Sequence, residues 1–133
     1  MTKPIHQTVR FNASPAELFA IYMNAKKHGA AIGAGVTVSR KAGAQFTAFD
    51  GGLTGCNLLI VPNRMIIQSW RADTWKTSDA DSILILLFSQ AGRGGQIELI
   101  HLNVPAHTHT RIKNGWSKHY WARWKRYVKK TSR

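Results

Sequence analysis

The segment from Arg111 to Lys130 sets the strongest constraint on the fold of this chain. Trp116, Tyr120, Trp124, Tyr127 and Val128 recur at three- and four-residue steps, so on a helix they share one face. Lys118, Lys125, Arg126 and Lys129 fall on the opposite face. A helix this rich in Trp and Tyr needs a broad apolar surface to receive it. Most of the preceding chain reads as short strands. The expectation is therefore an α+β fold in which a curved antiparallel sheet grips a long C-terminal helix, with a ligand cavity between them.

The strands follow from alternation and turn chemistry. Ile5, Gln7, Val9 and Phe11 alternate with polar residues as a first strand. Ser14-Pro15-Ala16-Glu17 is a capping box with proline at the first helical position, and Leu18, Phe19 and Tyr22 give that short helix its apolar side. A second helical piece runs from Asn24 to about His28, where Gly29, Gly33 and Gly35 break it. A meander follows: Thr37 to Arg40, Gln45 to Phe49, Thr54 to Val61, Arg64 to Arg71, Ser82 to Ser89 and Gln96 to Val104. The stretch Ser82 to Ser89 is apolar enough to be buried on both faces. Pro105 ends the last strand because it cannot donate to the ladder. This predicts about seven strands, two short helices after the first of them, and one domain over residues 1–133. Short turns favour antiparallel pairing.

Composition narrows the function classes. At 133 residues, 44% hydrophobic and 19% charged, the chain has material for a real core. No apolar run reaches the roughly 18 residues needed to span a bilayer. The first residues lack the apolar region of a signal peptide, so a cytoplasmic protein is expected. Cys56 is the only cysteine, which excludes an internal disulfide and reads as a small buried hydrophobe. The net charge of +13 favours acidic partners.

The order of elements resembles the helix-grip fold of the START and Bet v 1-like (SRPBCC) superfamily. Several motifs carry a narrower likeness: Phe11 through Phe19, Gly55-Cys56-Asn57-Leu58, Gln68-Ser69-Trp70-Arg71 with Trp75, Asp81-Ser82-Ile83-Leu84, Val104-Pro105, and Gly115-Trp116 with Tyr120-Trp121. Together they look like the domain shared with the C-terminal part of the heat-shock-protein-90 ATPase activator. That resemblance implies the helix-grip fold and a chaperone-linked or other protein-interaction role. The activator carries a separate N-terminal domain that makes much of the chaperone contact, and these 133 residues leave no room for one.

Two kinds of site are expected. A cavity for a small, mainly apolar ligand would be lined by Gln68, Trp70, Trp75, His101, Trp116, Tyr120 and Arg123. Arg123 falls on the apolar stripe, where its planar fork suits a carboxylate or phosphate of the ligand. A partner surface, for an acidic protein or a chaperone, would use Lys118, Lys125, Arg126 and Lys129. Nucleic acid is disfavoured because the aromatics share the inner face and cannot stack on bases. His107 and His109 stand at i, i+2 without a carboxylate or thiol at useful spacing, so no metal is expected. Nor is a cofactor. Gln68, His101 and Arg123 are the only polar set available to an enzyme, and they form no nucleophile–base pair. The expectation is a non-catalytic binding module.

Overall fold

The computed structural model describes residues 1–131. Arg133, which closes the basic C-terminal cluster, lies outside the described residues. β1 (Thr2–Phe11) leads into α1 (Pro15–Met23). The capping box forms as the sequence predicts: Glu17 N donates to Ser14 Oγ at 3.1 Å and Ser14 N to Glu17 Oε1 at 3.0 Å. α2 (Ala25–Ile32) is capped by Asn24, whose Oδ1 accepts from Lys27 N at 2.9 Å. It runs about one turn past His28. Gly29 is accommodated within the helix, and Gly33, at φ 73°, terminates it in the left-handed region.

The remaining strands are β2 (Gln45–Ala48), β3 (Leu53–Val61), β4 (Met65–Ala72), β5 (Ser82–Ala91) and β6 (Gly94–Pro105). They pair antiparallel in the order β1-β6-β5-β4-β3-β2. The C-terminal helix is built from α3 (His109–Gly115), a π turn (Trp116–Trp121) and α4 (Ala122–Thr131). The architecture is an α+β sandwich of two layers, one sheet and one set of helices.

Three expectations are corrected here. The sheet has six strands, not about seven, because residues 37–40 form only an isolated bridge from Thr37 to Thr47. Asn57 Nδ2 donates to the carbonyls of Ser39 and Lys41, at 2.8 and 3.1 Å, and holds that segment off the ladder. The sheet is also open rather than curved around the helix: β1 and β2 stand at opposite edges and do not pair. β2 spans only Gln45–Ala48 and adds too little edge to bring the sheet round. Finally, β5 is buried on one face only, with Leu84, Leu86 and Phe88 inward and Ile83, Ile85 and Leu87 outward and half-buried.

The core lies between the layers. Leu18, Phe19 and Tyr22 of α1 and Trp124 of α4 meet Leu84, Leu86, Ile97 and Leu99 from the sheet, all fully or almost fully buried. Phe19 meets Phe88 edge-on, and Phe11 lies against Trp121 and Trp124. Gly55 is required by the β3–β4 pairing. A Cβ there would lie 1.9 Å from Ser69 O and 2.5 Å from Phe46 Cε2. Gly55→Ala is expected to destabilise the fold by about 2 kcal/mol or more, as overpacking does. Urea unfolding measures this, and an unchanged midpoint would contradict the close approach.

Candidate functional site

The C-terminal helix is irregular where its aromatics are densest. Regular α spacing aligns Trp116, Tyr120 and Trp124 but turns Trp121 toward the side. The π turn, in which Ala122 N donates to Ser117 O, takes up one extra residue. Trp121 is thereby brought under the helix. It stacks on Trp116 with centroids 5.5 Å apart at 20°, and its Nε1 donates to Gln7 Oε1 at 3.0 Å. The five-residue step from Trp116 to Trp121 was the one sequence signal of this turn.

Beside this turn an open cleft of about 820 Å³ lies between the helix, the end of β4, the start of β3 and the end of α2. Trp70, Ala72, Trp116 and Tyr120 form the buried part of its lining, and Phe49, Leu53 and Ile112 add half-buried apolar surface. Arg111, Lys118, His119 and Arg123 supply its basic members, and Asp73 is the one carboxylate of the lining. Phe49 sits at φ 50° and Asp50 at φ 57°, both in the left-handed region. Such backbone costs about 1–2 kcal/mol per residue. The loop is held by Asp50, whose Oδ1 accepts from Gly35 N and whose N donates to Gly35 O, each at 3.0 Å.

The residues predicted for a ligand site divide into two groups. Trp70, Trp116, Tyr120 and Arg123 line the cleft together, as does Lys118 from the predicted partner surface. Gln68, His101 and Trp75 do not line it. Gln68 is fully buried, accepting from Tyr22 Oη at 2.8 Å and donating to Asn57 Oδ1 at 2.9 Å. Trp75 packs 5.7 Å from Trp70, with the Arg71 guanidinium over its ring. Arg71 itself donates to Asp79 O and Asp81 Oδ1, which shapes the loop after β4.

His101 stands behind the cleft, and its tautomer follows from its partners. Trp116 Nε1 can only donate, so His101 Nδ1 accepts, at 3.1 Å. His101 Nε2 then carries the proton and donates to Ser82 Oγ at 2.8 Å, while Ser82 Oγ donates to Trp70 O at 2.7 Å. His28, which sequence reading passed over, makes a parallel anchor. Its Nδ1 donates to Tyr22 O at 2.8 Å, leaving Nε2 to accept from Tyr120 Oη at 3.0 Å. A histidine four residues past an asparagine cap gave no local hint of this, because Tyr120 lies far along the chain.

Arg123 Nη1 donates to Ile32 O, the last carbonyl of α2, and Nη2 donates to His119 Nδ1 at 3.3 Å. Burial, then the charges of Arg123 and Lys118, lower the pKa of His119. Lys125, Arg126 and Lys129 lie exposed along α4. His107 Nε2 contacts Asp79 Oδ2 at 2.8 Å and His109 Nε2 donates to Pro4 O at 2.9 Å. Among the described residues no group of three or more His, Cys, Asp or Glu side chains could hold a metal ion. No helix among them is long and apolar enough to cross a membrane. Cys56 is half-buried rather than buried, its Sγ donating to Gly43 O at 3.2 Å.

Burial pushes His28 down to about 4, against a smaller upward effect of its bond to Tyr22. Burial, with the charge of His109, pushes His101 down to about 3. Both folded values lie below the ordinary value near 6.5, so the unfolded chain takes up protons that the folded one refuses. The stabilisation is complete above pH ~6.5 and is lost as pH falls from there toward about 4 for His28 and about 3 for His101, at up to about 1.4 kcal/mol per pH unit per histidine. The urea midpoint should therefore fall between pH 7.5 and 5.0. His101→Gln should flatten that fall, and a midpoint constant over this window would contradict the buried neutral pair.

Comparison with known proteins places this chain in a family. Residues 12–129 match the family described as Activator of Hsp90 ATPase homolog 1-like protein. The chain is 25% identical over 118 residues to the activator of 90 kDa heat shock protein ATPase homolog of Dictyostelium discoideum, covering 88% of this chain and 30% of that protein. It is 26% identical over 112 residues to the human activator homolog 1, covering 83% of this chain and 32% of that protein. The chain thus spans about a third of the length of these curated relatives. The crystal structure of an HSP90 activator from Plasmodium falciparum superposes with a TM-score of 0.82 at 23% identity, covering 90% of this chain and 91% of that one. At that identity the likeness shows the fold.

Proposed function

Because the chain belongs to the family of Activator of Hsp90 ATPase homolog 1-like proteins, within the START and Bet v 1-like (SRPBCC) superfamily, we propose that it is a non-catalytic binding module whose cleft takes a small, mainly apolar ligand bearing an acidic group. The cleft beside the π turn carries this reading. Its apolar wall, from Phe49, Leu53, Trp116 and Tyr120, offers aromatic and aliphatic contact. Arg111, Lys118 and Arg123 would meet the acidic group, with only Asp73 opposing them on the lining. Trp70, 3% exposed, adds an aromatic edge to the same wall. Its Nε1 is buried without a hydrogen-bond partner among the described residues, as are those of Trp75 and Trp124, which do not line the cleft.

Arg123 has a second duty in this reading. It fastens α2 to the C-terminal helix through Ile32 O, so its removal would disturb the cleft wall as well as the charge. Arg111 and Lys118 are exposed and test the charge alone.

A second reading follows from the exposed Lys118, Lys125, Arg126 and Lys129, none of which enters an ion pair among the described residues. They would meet an acidic protein partner, a chaperone by family likeness, at a surface distinct from the buried aromatics. Pull-down at low salt tests it, and a Lys125→Ser/Lys129→Ser double variant should weaken capture. The aromatic stripe is buried, which leaves no stacking platform for nucleic acid. Both readings suit the cytoplasm, where the free thiol of Cys56 would stay reduced.

Native mass spectrometry of the freshly purified protein, set against its denatured mass, is the direct test of the cleft. A retained small molecule is expected. Titration with anilinonaphthalene sulfonate, an apolar anion, should quench tryptophan emission. Arg111→Ser and Lys118→Ser should each weaken it roughly 3- to 10-fold, the scale of a rim charge. A clean apo mass together with no quenching would remove the ligand reading.

A further inference from the structure

The face of the sheet turned away from the helices is apolar across most of its width. Register fixes its make-up: Ile100, Ile85, Ile67 and Leu59 stand side by side across β6, β5, β4 and β3. Ile83 and Leu87 flank Ile85 along β5, on the same face. A bulge between Asn57 and Leu59 completes the surface. Asn57 faces the core, so plain alternation would send Leu58 outward and Leu59 inward. The bulge turns Leu59 out as well, opposite Ile67, and leaves Leu58 50% and Leu59 46% exposed. Among the described residues no helix lies over this face. α1 packs on β5 and β6 from the other side, over the buried Leu84, Leu86, Ile97 and Leu99. Soluble chains seldom leave so wide an apolar patch uncovered.

We propose that a second copy of this chain covers this face, in a two-fold sheet-on-sheet dimer. Size is the first argument. Four strands, β3 to β6, spaced about 4.8 Å apart and about eight residues long give a footprint of roughly 500 Å², enough for a pair to reach the roughly 1,000 Å² total that a specific interface needs. Shape is the second. A flat apolar sheet face matches its own copy when the two sheets stack about 10 Å apart with strands nearly aligned, the axis passing near Ile85.

Charge is the third argument and selects this occupant. The chain carries +13, and its C-terminal helix holds Arg111, Lys113, Lys118, Arg123, Lys125, Arg126, Lys129 and Lys130 in the other layer. At the margins of the outer face Arg71 pairs with Asp81 at 3.1 Å and His6 contacts Glu98 at 2.7 Å, while Arg10 at the β1 edge enters no ion pair among the described residues. Back-to-back packing sets the two basic layers farthest apart, beyond a Debye length of about 8 Å at physiological salt. An acidic partner is drawn to the helix side instead. The cleft opens on that side too, so the dimer leaves it accessible.

Sedimentation equilibrium of the full chain from about 1 to about 200 µM decides the matter. The wild-type mass should rise toward twice the chain mass. An Ile67→Thr/Ile85→Thr double variant keeps strand propensity and should raise the dissociation constant at least about 10-fold. Leu59→Ser, at an exposed position that does not threaten folding, should raise it about 3-fold, and Lys125→Ser on the helix back should leave it unchanged. A wild-type chain that stays monomeric throughout overturns the proposal and leaves the face to a different apolar partner. A dimer unaffected by Leu59→Ser, and by the threonine pair in its folded form, also overturns it, because association would then run through another surface.

Discussion

One chain of hydrogen bonds fixes where the C-terminal helix sits on the sheet: Trp116 to His101, His101 to Ser82, Ser82 to the Trp70 carbonyl. Apolar contact alone would hold the helix down but would tolerate sliding, since dispersion has no direction. A donor aimed at one ring nitrogen has direction. The arrangement also needs a neutral imidazole, because each nitrogen has one role and protonation of Nδ1 would turn an acceptor into a second donor facing an indole N–H. Burial supplies that neutrality. The aromatic group of Trp70, Trp116, Tyr120 and Trp121 is then assembled around a point already fixed.

The second anchor stands one helical turn further on, where Tyr120 donates to His28. It ties the C-terminal helix to α2 as the first ties it to the sheet. Tyr22 extends the polar set from there, its carbonyl accepting from His28 and its hydroxyl reaching Gln68, which in turn donates to Asn57. Networks of this kind are costly when incomplete and specifying when complete. Here they bind three helices and two strands into one arrangement. The cleft lies to one side of these anchors, at the end of the sandwich beside the π turn.

Much of this architecture is written locally. The capping box at Ser14, the alternation in β1 and β4 and the aromatic stripe each depend on residues within a few positions of one another, and each is legible there. The strand at residues 37–40 does not form because Asn57, far along the chain, takes its carbonyls. The open sheet follows from the shortness of β2, which no periodicity announces. At the cleft, Trp70, Trp116, Tyr120 and Arg123 were legible because an aromatic face must meet something. Gln68 and His101 were legible only as inward polar residues. Whether an inward polar side chain meets a cavity or another side chain is decided by partners remote in sequence, here Tyr22, Asn57, Ser82 and Trp116. His28 was illegible for the same reason.

The strained loop at Phe49 and Asp50 adds a last consequence. Left-handed backbone at a phenylalanine persists only where its surroundings compensate for it. The compensation here is Asp50 clipped to Gly35, together with Phe49 set edge-on to Tyr120 at 5.6 Å. Tyr120 is in turn fixed by His28. The loop, the end of α2 and the helix therefore share one set of restraints, closed on the far side by Arg123 at Ile32 O. A group entering the cleft would touch Phe49 and Tyr120 together, and any shift of one would be felt by the other. The wall of the cleft is held from behind by polar bonds with direction, while its surface is aromatic and apolar. Under the proposed ligand reading, that division would let the surface accept varied apolar shapes without loosening the framework that positions it.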